Sequence, residues 1–289
     1  MSNGGRETVR NTFFEWQTDS LANAAHNYHI DGDDIATFPA TEPTSRIGNY
    51  TNISRKLIIL ADNLSVIDAA GRTSELAYQI TKMGQELKRD QEHTLLANQV
   101  AVGGGTGTAR RTAGLPAWLK TNSSRGTGGT DPTVSGGVVN NAAGDSTNAN
   151  KRAFTIDMLN DVIEKVWNQG GTPKMLMVGG HNKTVVSGFA GIASNRYEIS
   201  KPEAGVIIGA ADIYVSDFGT VNIVPNRFQR DRDAFVLDPE FYATCILRPI
   251  ESIELAKTGD AEKRMLLVEY GLKVKNEAAL GVIADLTNA

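Results

Sequence analysis

Residues 72–98 read RTSELAYQITKMGQELKRDQEHTLLAN, a long pattern of apolar and charged residues. The apolar residues recur at steps of four, three and four, which is the spacing of one face of a helix. The residues of that face are Leu76, Ile80, Met83 and Leu87. At 1.5 Å per residue the helix would be roughly 40 Å long. The narrow apolar stripe predicts a strut that lies across a sheet, although an ordinary amphipathic core helix fits the same spacing.

Residues 246–286 predict that sheet. They contain two strand-like runs joined by the turn Thr258-Gly259-Asp260, a pattern typical of a hairpin. One face of the second run carries Val268, Tyr270, Leu272 and Val274, and the other carries Glu269, Gly271, Lys273 and Lys275. This period of two indicates one packed face and one face in water. We therefore predict an α+β protein in which residues 65–151 and 246–289 form one domain and residues 152–245 are inserted as an α/β domain.

The first third of the chain shows less periodicity. Residues 1–33 predict an amino-terminal arm, and residues 34–64 predict a projecting, extended hairpin that includes a strand at 52–60. His26 and His29 lie near three aspartates and suggest a metal site. Their spacing fits neither a zinc motif nor a calcium loop, so a solvated loop is the better interpretation.

Residues 103–150 are rich in Gly, Thr, Ser and Asn, which predicts a flexible loop interrupted only by the apolar run at 113–119. Their glycines invite comparison with a phosphate-binding loop. No Gly-Lys-Ser or Gly-Lys-Thr follows at the required spacing, so this motif is excluded.

Residues 155–182 give the most enzyme-like pattern. A helix capped by Thr155 is followed by a strand at 174–178 and by Gly179-Gly180-His181, which opens a second helix. A helix N-terminus after such a turn can bind an anion. An α/β enzyme that binds phosphate or another small molecule through Gly179, Gly180 and His181 is therefore the alternative function, although no nucleophile and base stand together there.

Composition limits the classes of function. The net charge of −4 argues against a dedicated nucleic-acid binder. The single cysteine, Cys245, permits neither an internal disulfide nor a cysteine metal cluster, and we expect no cofactor. No run approaches the ~18 apolar residues of a membrane span, and the first residues carry no apolar signal core, so we expect neither membrane insertion nor secretion.

Seven short sequence segments, in the order in which they occur, resemble those of a known family. They are FEWQTDSLA (14–22), RIGNYTNI (46–53), AGRTSELAYQ (70–79), ELKRDQE (86–92), RRTAGLPAWLKTN (110–122), VSDFGTVNIVPNRF (215–228) and LAKTGDAEKRMLLVEYGL (255–272). Together they resemble the major capsid, or major head, proteins of tailed bacteriophages, which have the Hong Kong 97-type fold. Only thirteen residues precede Phe14. Family members usually carry more, so the arm is expected to be cleaved, short or incomplete.

The resemblance implies a structural protein without catalysis or cofactor, found in the virion capsid after synthesis in the host cytoplasm. Copies would self-assemble into hexamers and pentamers of an icosahedral or prolate head that encloses double-stranded DNA. Residues 34–64 would overlap a neighbour, 72–98 would be the spine helix, and 152–245 would be the axial domain beside the peripheral one. Expected partners are a portal, a scaffold or protease, cementing proteins and, through non-specific contact, the packaged DNA. The residues expected at the assembly interface are Trp16, Asp19, Arg46, Tyr50, Arg72, Glu75 and Arg89.

Overall fold

The computed structural model describes residues 4–32, 34, 38, 40–41, 43–66, 74–189 and 212–287. The helices are α1 (Asn63–Val66), α2 (Glu75–Leu95), α3 (Ile156–Asn168) and α4 (Gly180–Ser187). The strands are β1 (Gly5–Thr8), β2 (Phe13–Thr18), β3 (Ser45–Tyr50), β4 (Asn52–Ala61), β5 (Asn122–Ser124), β6 (Thr133–Ser135), β7 (Val138–Asn141), β8 (Met175–Val178), β9 (Ile213–Ser216), β10 (Gly219–Pro225), β11 (Ala234–Leu237), β12 (Tyr242–Leu255), β13 (Ala261–Val274) and β14 (Gly281–Ile283).

Two sheets organise the molecule. A four-stranded sheet has the order β1-β12-β13-β4, with β1 parallel to β12 and the other pairs antiparallel. A six-stranded sheet has the order β5-β14-β11-β8-β10-β9. The predicted hairpin is confirmed as β12 and β13, and the predicted strand at 52–60 is confirmed as β4. The four-stranded sheet and one face of the six-stranded sheet share one cluster of buried side chains, and the other face of the six-stranded sheet forms a second cluster with α3 and α4.

The strut helix is confirmed, but it is shorter than predicted. Helix α2 begins after Ser74, whose side chain accepts a hydrogen bond from the Ala77 N–H, and 21 residues make it about 31 Å long. It ends at Leu95, and Leu95 and Leu96 are both buried in the core. Residues 72–73 lie outside the described part of the chain.

The predicted apolar stripe of α2 covers the four-stranded sheet. Leu87 is fully buried, and Leu76, Ile80 and Met83 pack against the same core. Gly84 faces the Leu266 side chain, which is 3.9 Å from where a Cβ would stand. The helix therefore lies against β13 and β4, as its spacing predicts.

The prediction that the other sheet face is in water is wrong for its central part. Glu269 is 3 % exposed, and Gly271 is buried. A Cβ at position 271 would stand 2.7 Å from the Phe14 ring of β2, so the glycine permits the β2–β3 ribbon to lie on this face. The sequence conceals this cover because the ribbon comes from residues far away in the chain.

The predicted hairpin within residues 34–64 is also wrong. Strand β3 pairs with β2, from Phe13↔Tyr50 to Thr18↔Ser45, whereas β4 pairs with β13. Only Thr51 separates β3 from β4, so the chain passes directly from one pairing to the other. The predicted arm at 1–33 likewise contains two strands, β1 and β2, which are too short to show periodicity.

Two further boundaries differ from the predictions. Strands β5 and β14 lie outside residues 152–245 yet join the six-stranded sheet, and β12 already begins at Tyr242 in the other sheet. The Gly-rich stretch 103–150 is not a bare loop: residues 112–119 are all buried, and β6 pairs with β7. The polar side chains of this stretch form hydrogen bonds with backbone groups. These bonds stabilise the stretch in place of buried apolar area, and they cannot be recognised from composition alone.

Candidate assembly surface

Residues 19–44, which we name the exposed segment, connect β2 to β3. Every described residue in this range is exposed, and none lies in a helix or strand. Four large apolar side chains are almost completely exposed: Leu21 (98 %), Tyr28 (85 %), Ile30 (81 %) and Phe38 (81 %). Exposed apolar groups that occur together on one segment are typical of a surface for contact with another molecule.

The exposed segment is also strongly acidic. Its sequence contains no lysine or arginine, and its acidic residues are Asp19, Asp31, Asp33, Asp34 and Glu42. A surface complementary to this segment would combine apolar groups with positive charge.

Such a surface exists on the face of the four-stranded sheet that points away from α2. There β4 exposes Ile53, Leu57 and Ile59, and β12 exposes Ile253. Lys263 of β13 lies beside Ile59 in register, and Arg55 is exposed between Ile53 and Leu57. We name the apolar part of this surface, Ile53, Leu57, Ile59 and Ile253, the outer sheet face. Strand β4 is an edge strand, and an apolar edge invites contact with another chain.

A buried carboxylate connects the covered part of this sheet to the chain around it. Glu269 accepts hydrogen bonds from Thr51 (2.8 Å), Arg110 (2.6 Å) and Arg248 (2.9 Å). Burial raises the pKa of Glu269, but the bonds from Thr51 and Arg248 and the charge of Arg110 outweigh it, so the pKa lies below its ordinary value. The ionised carboxylate thus holds the start of β4 and the 103–111 loop on the sheet.

A second buried network connects the Gly-rich stretch to the six-stranded sheet. Asp285 accepts hydrogen bonds from the backbone N–H groups of Ser146 (2.8 Å) and Gly126 (3.0 Å) and from Arg232 (2.7 Å). Asp285 has a φ of 61°, which aspartate tolerates better than most residues. Burial raises the pKa of Asp285, but these hydrogen bonds outweigh it and lower the pKa below its usual range. The carboxylate therefore anchors two turns of the stretch that composition predicts to be flexible.

Asp233 lies in the same region, but its pKa is shifted in the opposite direction. Burial raises its pKa to about 6, despite the opposing charge of Arg230, 3.4 Å away, and of Arg125 and Arg232; Asp145 nearby raises it further. Because the folded-state pKa lies above the unfolded value of about 3.9, the stabilising contribution is complete below pH ~4 and is lost as the pH rises through about 6.

We expect this carboxyl to stabilise the fold by about 1 kcal/mol more at pH 5 than at pH 7.5. Urea unfolding at the two pH values measures the difference, and Asp233→Asn removes the titrating group. Glu269 and Asp285 titrate below this window because their pKa values are lowered. An equal pH dependence in the wild-type and Asp233→Asn proteins would contradict the prediction.

Three of the residues expected at an interface lie on the β2–β3 ribbon. The Trp16 ring is buried in the subunit's own core, 5.6 Å from the Trp118 ring. Arg46 is exposed on β3, with its guanidinium 3.9 Å from Glu15. Tyr50 is half-buried, and its ring lies 4.7 Å from the Phe13 ring.

Three of the other four are described, and they lie in two parts of the molecule. Asp19 is exposed at the start of the exposed segment and accepts a hydrogen bond from the Ser20 N–H. Glu75 opens α2 and accepts a bond from Gln79 at 2.7 Å. Arg89 is exposed on α2, with its guanidinium 5.6 Å from the centre of the Phe228 ring. Arg72 lies outside the described residues. The structure thus brings Trp16, Arg46 and Tyr50 to one ribbon, with Asp19 directly after β2.

The outer sheet face was not identified from the sequence. A signal for it exists in NISRKLIIL, where Ile53, Leu57 and Ile59 fall on alternate positions of one strand. The neighbouring residues Ile58 and Leu60 are also apolar and are buried under α2. Because β4 carries apolar residues on both faces, its sequence does not show which face remains exposed.

The turn at Gly179-Gly180-His181 has a structural reason for its glycine. A Cβ on Gly179 would stand 2.7 Å from the Asp231 carboxylate. The Asn182 side chain donates to the Asp231 backbone carbonyl (2.7 Å), while His181 is exposed. A carboxylate beside this turn disfavours a bound anion, so the glycine serves the packing of two turns.

The described part of the chain contains no group of three or more His, Cys, Asp or Glu residues placed to hold a metal ion. Within those same residues, no helix combines the length and the apolar character that crossing a bilayer requires.

Comparison with known proteins decides the family. The model of the SU10 major capsid protein family matches residues 1–287. The chain belongs to this family of major capsid proteins. The major capsid protein of Escherichia phage Phieco32 is 27 % identical to it over 313 residues, which cover 96 % of this chain and 87 % of that protein.

Solved structures support the same fold at low sequence identity. A structure from Mycobacterium phage Bobi has a TM-score of 0.60 at 13 % identity and covers 98 % of this capsid protein and 88 % of its own chain. The SrpI encapsulin of Synechococcus elongatus PCC 7942 has a TM-score of 0.58 at 11 % identity, covering 98 % and 85 %. The major capsid proteins of phage G have a TM-score of 0.54 at 9 % identity, covering 99 % and 89 %.

The fold is therefore the Hong Kong 97-type capsid fold, as the sequence resemblance implied. The protein is a phage major capsid protein, a structural component of the virion capsid and not an enzyme. The alternative of an α/β enzyme acting through Gly179, Gly180 and His181 is discarded.

Proposed function

We propose that copies of this capsid protein form hexamers and pentamers that close the head around double-stranded DNA, and that the exposed segment of one copy covers the outer sheet face of its neighbour. The observation that carries this proposal is the pair of apolar surfaces left open in the single subunit. Phe38 is 81 % exposed on one of them, and Ile59 is 67 % exposed on the other. Joining them removes both from water, which stabilises the contact.

Charge supports the same pairing. The exposed segment is acidic, and the outer sheet face is bordered by Arg55 and Lys263. Opposite charges around an apolar contact favour one relative orientation of two copies over others.

We also propose which parts of the subunit form the peripheral and axial domains of the capsid fold. The four-stranded sheet and α2 form the peripheral part with the spine helix, and the six-stranded sheet with α3 and α4 forms the axial part around the capsomer centre. The extended loop is the exposed segment between β2 and β3, which shifts it toward the N-terminus from the predicted 34–64.

Further partners are expected from capsid assembly. These are a portal, a scaffold or protease, and cementing proteins, with synthesis in the host cytoplasm before incorporation into the virion. Two structural relatives are consistent with this expectation: one contains gp26 decoration proteins of phage G, and one is a satellite phage P4 procapsid with its size determination protein.

Charged substitutions on the outer sheet face test the proposed contact. We expect Leu57→Glu with Ile59→Glu to raise the protein concentration needed for shell formation by at least about tenfold, since ~1.4 kcal/mol per contact suffices for that factor. The subunit should keep its stability because both side chains are largely exposed. Electron microscopy and light scattering across a concentration series measure assembly.

The matched control is Leu57→Lys with Ile59→Lys. If an acidic segment covers this face, the lysine variant assembles better than the glutamate variant, since only glutamate adds repulsion. Normal shells from the glutamate variant, or equal defects in the two variants, would refute the proposed pairing.

A further inference from the structure

The edge strand β9 of the six-stranded sheet leaves apolar side chains exposed on one face. Ile213 and Val215 are 56 % and 68 % exposed. Between them, Tyr214 is buried and points to the other face, where its hydroxyl donates a hydrogen bond to the Asn160 side chain of α3 at 2.5 Å. Because side chains alternate along a strand, Ile213 and Val215 lie on the side of the sheet opposite to α3.

The α3 side of the same sheet exposes aromatic and acidic groups. Trp167 is 52 % exposed at the end of α3, and its ring lies 5.2 Å from the Phe218 ring in the β9–β10 turn. Glu164 is exposed one helical turn before Trp167, and Asp217 is exposed beside Phe218. Among the residues that the structure describes, neither carboxylate has a cationic partner. We name Glu164, Trp167, Asp217 and Phe218 the acidic aromatic patch.

A groove lies on the other side of the sheet, between α2 and the strands β8 and β10. It has a volume of about 460 Å³, and its apolar lining consists of Met175, Met177, Val224, Pro225 and Phe228. The lining also contains the Glu92 carboxylate, which accepts a hydrogen bond from the Asn226 side chain at 2.8 Å. Ile213 pairs with Asn222, two residues before Val224 on β10. The exposed side chains of β9 therefore extend the apolar surface of the groove.

Three cations surround this apolar groove. Lys88 and Arg89 are exposed on α2, and Arg227 is exposed after β10. Within the described part of the chain, neither Lys88 nor Arg227 has a carboxylate partner, and the Arg89 guanidinium lies 5.6 Å from the centre of the Phe228 ring. An apolar groove with a cationic rim is complementary to an aromatic side chain flanked by carboxylates.

We propose that the acidic aromatic patch of one copy docks into the groove of the next copy and joins neighbouring axial parts in a ring. The proposal rests on the proposed function and names the two surfaces that hold a capsomer together. Trp167 supplies the apolar anchor, and Glu164 and Asp217 pair with the cations of the rim. Because the two surfaces lie on opposite faces of one sheet, the contact is head-to-tail, and it continues around a ring instead of closing a two-fold dimer.

Charge reversal on each surface tests the docking. The patch variant, Glu164→Lys with Asp217→Lys, opposes cations to the basic rim, and the groove variant, Lys88→Glu with Arg227→Glu, opposes carboxylates to the acidic patch. We expect either variant to raise the protein concentration needed for shell formation at least about tenfold. The quadruple variant restores attraction at the same net charge as the wild type, so it should assemble like the wild type. Electron microscopy and light scattering measure assembly, and unchanged thermal unfolding verifies that each variant folds.

A mixture of the patch variant and the groove variant makes the test more specific. Contacts between unlike variants are attractive in both directions, so the two alternate around a ring. A hexamer can alternate at every contact, whereas a pentamer has an odd number of copies and keeps at least one like-charged contact. We therefore expect the equimolar mixture to form hexameric rings and open sheets or tubes, but no closed shells, in electron micrographs.

Normal shell formation by the patch variant or by the groove variant would overturn the proposal, and so would a quadruple variant that folds but does not assemble. If the exposed segment of a neighbour filled the groove instead, the groove variant would fail while the patch variant assembled normally. These results, obtained while the wild-type protein forms shells, refute the docking alone. A wild-type protein that forms no shells refutes the proposed function itself.

Discussion

Replacing Asp285 by alanine is expected to destabilise the subunit by about 3 kcal/mol. The substitution removes one partner of the buried Asp285–Arg232 pair, a change that typically costs ~3–5 kcal/mol. It also leaves the Ser146 and Gly126 N–H groups without their acceptor. We place the loss near the lower end because Asp145 remains 3.4 Å from Arg232. Denaturant unfolding of the unassembled protein measures the change.

Asp285→Asn is the matched control. Asparagine tolerates the φ of 61° as aspartate does and keeps one side-chain oxygen, so it retains the turn and part of the hydrogen bonding. We expect it to lose clearly less stability than alanine. If the two variants were equally destabilised, the charge would account for the whole effect and the proposed role of the carboxylate in holding the two backbone turns would be wrong.

The sequence predicts the parts of this fold that repeat a pattern over many residues. The stripe through Leu76, Ile80, Met83 and Leu87 identifies α2, and alternation in β13 identifies the long hairpin. Both depend on neighbours in the sequence, so local periodicity is enough to find them. The family resemblance implied how these elements are combined into one fold, which periodicity does not show.

The missed features depend on residues that are distant in the chain. Strand β14 has three residues and is defined only by its pairing with β11 and β5. The alternation of β13 places Glu269 on the face predicted to be in water, whereas in the structure Thr51, Arg110 and Arg248 surround its carboxylate. A single side chain carries no local sign of such partners.

The same limit applies to the candidate surface. The acidic and apolar content of residues 19–44 is visible in the sequence, but their exposure depends on β2 pairing with β3 on either side of them. The expected interface residues Trp16 and Tyr50 are aromatic and resemble interface anchors, yet their rings pack within the subunit. Residue type alone does not separate an anchor in the core from one on the surface.

Joining Thr18 directly to Ser45 through an Asn-Gly turn is expected to abolish shell formation while leaving the subunit folded. Thr18 and Ser45 are partners in the antiparallel ribbon, so a two-residue turn can connect them without changing the register. The deletion removes every exposed apolar group of the segment and all five of its acidic residues. Electron microscopy detects the loss of shells, and size-exclusion chromatography detects the remaining soluble subunits.

Stability should change in the opposite direction to assembly. The segment makes no strand or helix within its described residues, so its removal costs few contacts. Shortening the connection between two paired strands also reduces the entropy cost of loop closure, which favours the folded subunit by about 2 kcal/mol.

The control is a loop of equal length made of glycine and serine. It keeps the long connection but lacks the apolar and acidic side chains, so we expect wild-type stability and no shells. Shells from the glycine–serine variant would show that the segment acts only as a spacer, and shells from the turn variant would show that it does not join neighbouring copies. A higher unfolding midpoint together with lost assembly is the combination that a contact between copies requires, because a segment that stabilised its own subunit would lower both when removed.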